Sequence, residues 1–315
     1  MKYLITGSTG NLARHIVARL ISGGDEVLQV DLREPDDSGG RFEQADITDH
    51  ARIDELVAGF APQRIIHMAS LLSMTSEAQP DLAWRVNATA SVALLESAER
   101  HGVGQVFYPS TGATYGGTLP DPLPEDYPQW PANVYGVTKV AVERAGAYFA
   151  ARRGVDFRSV RLPMVISPYA PTGAVSAYAS HAFAAAVRGE RFTFPVEPSV
   201  GISTIYVADV VDGILRLLDA PESSISRRVY NLHGFAPSAG DIANAIADRV
   251  PGFSYEFAPQ EINMQVLGPM PTVHEDASAR REWGWEPRFG LEQCADDMLR
   301  AAREAARDQP NGGAT

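Results

Sequence analysis

The chain has 315 residues, 45% of them hydrophobic and 21% charged, enough apolar material for a large globular core. A net charge of −12 argues against a protein that tracks nucleic-acid phosphates, and the one cysteine, Cys294, excludes an internal disulfide and fits a reducing compartment. No run approaches the roughly 18 apolar residues of a membrane span, and MKYLITGSTG reads as a strand and turn rather than a secretion signal, so a cytoplasmic protein without membrane or nucleic-acid partners is expected.

Short runs rich in Val and Ile at Lys2–Thr6, Glu26–Asp31, Arg64–Ala69, Gln105–Pro109 and Phe157–Leu162 read as buried parallel strands. Helices are predicted between them. One spans Asp81–Arg100, opening after Pro80 and stopping at Gly102; another spans Asn133–Arg153 and stops at Gly154. Strand–helix alternation of this kind predicts an α/β fold with a doubly wound parallel sheet. After Pro163 the alternation loosens. A loop at Pro168–Pro171, an alanine-rich helix at Val175–Gly189, a helix at Val207–Asp219, a strand at Arg228–Leu232 and a helix at Ala239–Val250 follow. The expected organisation is a nucleotide-binding unit over residues 1–162 with segments returning near 203–233. A smaller interleaved substrate lobe over 163–202 and 234–303 would close over the strand ends. Trp283–Phe289 is assigned to packing that lobe, Asp36–Gly40 to a polar loop, and 304–315 to a frayed tail.

Gly7-Ser-Thr9-Gly10-Asn11-Leu12-Ala13 follows the first strand and opens a helix. Glycines there let backbone N–H groups approach a pyrophosphate at a helix N-terminus. The second strand ends in Asp31, next to Leu32. A carboxylate at that point accepts hydrogen bonds from a ribose diol and repels a 2′-phosphate, so NAD is favoured over NADP. These features specify a Rossmann sheet. Asp46-Ile47, after a further short extended run, is a candidate to meet the adenine. A tight strand–helix turn with a surface Asp is the bland alternative.

Tyr135-Gly-Val-Thr-Lys139 lies inside a predicted helix, and i, i+4 spacing puts the phenol and the ammonium on one face. A neighbouring cation favours the phenolate, which would turn a group of reference pKa about 10 into a general base. An amphipathic helix with an ordinary Tyr and a solvated Lys is the alternative. Upstream, Tyr108-Pro-Ser110-Thr111-Gly112 follows a strand, and strand C-termini face the ligand in such sheets, so Ser110 or Thr111 is placed to hydrogen-bond the reacting oxygen. Glu143 and Arg144 are expected on a solvated helix face. His67 is expected to end a strand beside the cofactor loop. The seven histidines show no ligand spacing, so no metal is expected.

Taken together, the glycine loop, Asp31, His67-Met68-Ala69-Ser70, Asn87, Pro109–Gly116 and Tyr135-x-x-x-Lys139 resemble the extended short-chain dehydrogenases and epimerases, and most of all the short-chain type of L-threonine 3-dehydrogenase. The resemblance implies Tyr135 as base, Lys139 as its activator and ribose anchor, and Thr111 as the hydroxyl partner. It further implies Gly7, Thr9, Gly10, Asn11, Leu12, Asp31, Leu32, Asp46, Ile47, Met68, Ala69, Ser70, Asn87, Ser110 and Pro163 around the NAD. Leu72, Ser73, Val175 and Ser176 would lie on the substrate. Two departures fall in the substrate loop, where Val175 replaces a hydroxyl and Ala177 an acid. The implied activity is oxidation of the secondary alcohol of a small β-hydroxy amino acid. A nucleotide-sugar epimerase or dehydratase and a non-catalytic dinucleotide binder remain alternatives. By analogy with the family, a homodimer through the helices at Asp81–Arg100 and Asn133–Arg153 is expected.

Overall fold

In the computed structural model, which describes residues 1–35, 39–172 and 174–308, every neighbouring pair in the seven-stranded main sheet is parallel. The strands are β1 (Lys2–Thr6), β2 (Glu26–Asp31), β3 (Arg41–Gln44), β4 (Arg64–His67), β5 (Gln105–Thr111), β6 (Asp156–Leu162) and β10 (Val229–Asn231). Their spatial order is β10-β6-β5-β4-β1-β2-β3. The chain winds outward in both directions from β1 and β4, and a ligand crevice belongs outside the strand C-termini at that reversal.

Successive side chains of a strand point to opposite faces, and β1 shows what each face meets. Tyr3 and Ile5 pack in one apolar cluster with Ile16 and Val17 of α1 (Ala13–Ser22) and Val210 and Ile214 of α8 (Val207–Asp219). Leu4 packs in the opposite cluster, with Val57 of α2 (His50–Phe60), Leu94 of α5 (Ala90–Arg100) and Val142 of α6 (Val134–Arg152). Each such aliphatic side chain taken fully out of water contributes about 1.5–3 kcal/mol. Helix ends are set locally. Asp49 caps α2 through Arg52 N at 3.1 Å, and Asn133 caps α6 through Gly136 N at 2.7 Å.

The lobe holds two small parallel sheets, β7 (Met164–Ile166) with β9 (Thr204–Tyr206) and β8 (Phe192–Phe194) with β11 (Tyr255–Phe257). Around them lie α7 (Tyr178–Arg188), α9 (Ala239–Ala247) and α12 (Leu291–Asp308), sharing a third apolar cluster. The first strands and α8 fall where the sequence puts them. Strand β5 runs two residues further, to Thr111, and β4 ends earlier, at His67. The helix predicted from Asp81 begins at Pro80 and contains a π-helical turn at Trp84–Thr89. The helix predicted from Val175 starts as a 3₁₀ turn, Val175–Ala177.

Two expectations are corrected. The tail is helical to Asp308, because Cys294, Ala295, Met298 and Leu299 dock α12 on the lobe; residues 309–315 lie outside the described residues, as do 36–38 of the polar loop. Trp283 and Trp285 pack with Tyr3 and Ile214 on the main sheet rather than in the lobe. Space for Trp285 comes from Gly213 on α8, where an added Cβ would lie 2.8 Å from the indole. Among the described residues no helix is long and apolar enough to cross a membrane, and no group of potential metal ligands assembles.

Candidate active site

Gly7 follows β1 with φ +65°, a conformation L side chains rarely adopt, and a Cβ there would lie 2.6 Å from Ala69 N. The glycine brings the β1 turn against the β4 turn, where Met68 N donates to Thr6 O at 3.0 Å and Ala69 N reaches Thr6 Oγ1 at 3.4 Å. Gly7, Thr9, Gly10, Asn11 and Leu12 thus lead into α1 beside Met68, Ala69 and Ser70. Backbone that bare at a helix N-terminus fits a pyrophosphate. Asp31 closes the far side, accepting from Thr9 N at 3.0 Å, Thr9 Oγ1 at 2.9 Å and Leu32 N at 2.7 Å. Leu32 is exposed beside it. Asp46 ties its own turn through Thr48 N at 2.8 Å, with Ile47 buried next to it. Ser167 Oγ donates to Asn11 Oδ1 at 2.6 Å, joining the loop to the lobe.

Asn87 sits fully buried in the π turn. Its Oδ1 accepts from Leu71 N at 2.7 Å, and its Nδ2 donates to Leu71 O at 3.1 Å and Thr138 Oγ1 at 3.3 Å. The wider π turn is a common device at functional sites. Here its asparagine fixes the connection that carries Leu72 and Ser73 against α6. Glu77 of α3 (Ser73–Ala78) reinforces this by accepting from Val134 N at 2.5 Å.

Tyr135 and Lys139 occupy the first turns of α6. Gly136 lets this helix press against the turn after β5, since a Cβ there would lie 2.1 Å from Ala113 O. Lys139 is buried, with Nζ donating to Pro109 O at 2.9 Å and lying 5.4 Å from the centre of the Tyr135 ring. Burial pulls the ammonium down to about 7, opposed by the Glu143 carboxylate. The Tyr135 ring is half-buried, and desolvation pushes its phenol up to about 12. Desolvation thus opposes ionisation of the phenol even with Lys139 close by. Thr111 is half-buried, its Oγ1 accepting from Ala113 N at 3.2 Å.

Ser110 and Glu143 depart from expectation. Ser110 is buried and its hydroxyl donates to Glu143, leaving Thr111 as the hydroxyl at this strand end available to a ligand. Glu143 is not solvated but buried, because Arg161 holds it with Nε at 2.9 Å from Oε1 and Nη2 at 2.7 Å from Oε2. Arg161 also donates to Tyr115 Oη at 2.7 Å, and Tyr115 donates to Asn231 Oδ1 at 2.9 Å. Arg144 is exposed as expected. The missed network had one legible sign, the i, i+4 spacing of Lys139 and Glu143. His67 is buried and held by Thr6 Oγ1 at 2.6 Å and Ser91 Oγ at 2.8 Å, with burial lowering its ring to about 3.

Beyond β6, Pro163 leads to Met164, whose N donates to Ser203 O at 3.1 Å. Ser203 Oγ meets His233 Nδ1 at 2.8 Å. His274 packs over Gly112, the residue after Thr111, where an added Cβ would lie 2.9 Å from its ring. Val175 and Ser176 are half-buried in the 3₁₀ turn of the lobe.

The model of the NAD dependent epimerase/dehydratase family matches residues 3–232. An uncharacterized epimerase/dehydratase of Staphylococcus aureus is 34% identical over 312 residues, covering 96% of this chain and 97% of that one. The mitochondrial L-threonine 3-dehydrogenase of Sus scrofa is 32% identical, over 95% of this chain and 82% of its own. The holo form of a GalE-like L-threonine dehydrogenase from Cupriavidus necator superposes with a TM-score of 0.91 at 31% identity, covering 95% of this chain and 99% of that one.

Proposed function

The chain belongs to the NAD dependent epimerase/dehydratase family, and from that premise we propose that it oxidises the secondary alcohol of a small β-hydroxy amino acid, with L-threonine as the leading substrate and 2-amino-3-ketobutyrate as product. The observation that carries the reading is Lys139, 5.4 Å from the Tyr135 ring centre on α6 and bonded to Pro109 O, two residues before Thr111 at the C-terminal end of β5. Relatives named for threonine oxidation match it over nearly the full chain.

The backbone of Gly7–Leu12 would hold the pyrophosphate, Asp31 the adenosine ribose and Lys139 the second ribose. A bound NAD supplies the hydride acceptor and, when oxidised, a positive ring. That charge would favour the phenolate of the half-buried Tyr135, whose phenol desolvation pushes up to about 12. Tyr135 Oη then takes the substrate hydroxyl proton, and Thr111 Oγ1 hydrogen-bonds the same oxygen as it becomes a carbonyl. Positioning and charge are the protein's share of the work.

Uncharged Met164, Ser203 and Thr204 at the lobe side support a small substrate over a nucleotide sugar, whose diphosphate requires fixed cations. Incubation with NAD and L-threonine, followed by reduced-cofactor absorbance, tests the proposal. Conversion of a UDP-sugar without net reduction would instead identify an epimerase. Cofactor binding without any turnover would identify a dinucleotide binder.

A further inference from the structure

The chain contains two lysines, Lys2 and Lys139. Lys2 is on the surface; Lys139 is buried and needs compensation for an ammonium withdrawn from water. One N–H goes to Pro109 O. The rest of the surroundings are unusual for a cation. The ring of Tyr108 lies beneath it, Nζ being 4.2 Å from the ring centre, nearer than the Tyr135 ring at 5.4 Å. Tyr108 is itself buried, and its hydroxyl has Ser91 beside it but no partner in hydrogen-bond geometry. The polar tip that ordinarily justifies a buried tyrosine is at best weakly bonded, while its ring face is occupied by charge.

We propose that Tyr108 is a positioning residue of the active site, its ring being the seat that holds the Lys139 ammonium charged and fixed beneath Tyr135. A ring face attracts a desolvated cation through its quadrupole and uses up none of the directed N–H groups. The ammonium thereby keeps donors for a ribose and for the phenol. The position follows from the strand: Tyr108 and Ser110 alternate with Pro109 on β5, so ring, backbone acceptor and hydroxyl address Lys139 and Glu143 in turn.

The charged and titratable groups around the ammonium come from three elements. On α6 they are Tyr135 and Glu143, the latter neutralised by Arg161 of β6. From β4 comes His67, whose ring centre is 5.7 Å from that of Tyr108 and which is neutral at working pH. From β5 comes Tyr108 alone. Of these, Tyr108 brings its ring face nearest the ammonium, 4.2 Å against 5.4 Å for Tyr135.

The inference rests on the reading that Lys139 serves Tyr135, and the test separates the two. With lysine labelled at the ε-carbon, the protein gives two lysine resonances, and a Lys2→Arg variant assigns them. Lys139 is then titrated in the wild type, in Tyr108→Phe, and with phenylalanines of increasing ring fluorination at position 108. These analogues keep the shape and remove the quadrupole stepwise, so a loss of folding does not confuse the result. Tyr108→Phe should titrate within a few tenths of a unit of wild type, and the fluorinated series should fall stepwise by about one unit in all. A flat series overturns the proposal. Turnover of Tyr135→Phe is measured alongside. A graded series with that variant fully active overturns the catalytic purpose of the seat, while a graded series with it inactive supports both.

Discussion

Glu143 and Arg161 face each other as a two-pronged ion pair sealed from solvent, with side-chain exposures of 0% and 8%. Buried pairs are costly to break singly, because the survivor is left as an uncompensated charge. Glu143→Gln should cost about 3–5 kcal/mol of stability, read as a lower urea midpoint. A Glu143→Met/Arg161→Met double variant should recover most of that loss. If the single variant matches wild type, the pair is not buried as described.

Tyr135→Phe keeps the ring and removes the proton acceptor. Its turnover should fall at least about 100-fold, with cofactor affinity nearly unchanged. Lys139→Met should lose turnover and also weaken cofactor binding, since its ammonium serves both. Equal affinity of the two variants for NAD, measured by calorimetry, would remove Lys139 from the ribose.

His67 and His274 carry neutral rings in the folded state, each lowered by burial from 6.5 to about 3. The unfolded chain takes up protons near 6.5. Stability is therefore intact above pH 6.5 and lost as pH falls from there toward 3. At pH 5 the loss is about 2 kcal/mol per ring. His15 and His233, also lowered by burial, add to the slope. Urea unfolding at pH 7 and pH 5 should show the drop, and His274→Gln should shrink it. An unchanged difference in that variant would mean His274 is protonated when folded.

Asp31 accepts from Thr9 and Leu32 and presents negative charge at the end of β2. NAD should bind at least about ten-fold more tightly than NADP, and Asp31→Asn should narrow the gap. Comparable affinities in the wild type would count against the assignment.

Trp84 is 44% exposed and Tyr148 54% exposed on the helices proposed for self-association. Light scattering after size exclusion should give a species of twice 34.0 kDa, and Tyr148→Glu should shift it toward the monomer. A single 34.0 kDa species in the wild type rejects the dimer.

The glycine loop, Asp31 and the Tyr135–Lys139 spacing were legible because each is a local pattern, complete within one turn or one helix face. So were β1, β2 and α8, whose apolar periodicity is strong. The strands of the lobe are three residues each, too short for periodicity to register. The burial of Glu143 is not legible in the sequence because a charged residue on a helix is normally solvated, and its partner Arg161 lies on a strand 18 residues on. The Tyr108 ring under Lys139 joins β5 to α6 across 31 positions of sequence, a relation only the packed sheet creates. The layer that Trp283 joins is not legible either, because an aromatic cluster announces burial and not its address.

The Asn87 amide grips both polar groups of the Leu71 backbone and a hydroxyl of α6 at once. A connection held that way inherits the stiffness of the helices beside it. On the proposed reading, in which Leu72 and Ser73 lie on the substrate, they would present a wall rather than a flap to it, and a new preference at this edge would evolve by exchanging side chains on a standing frame.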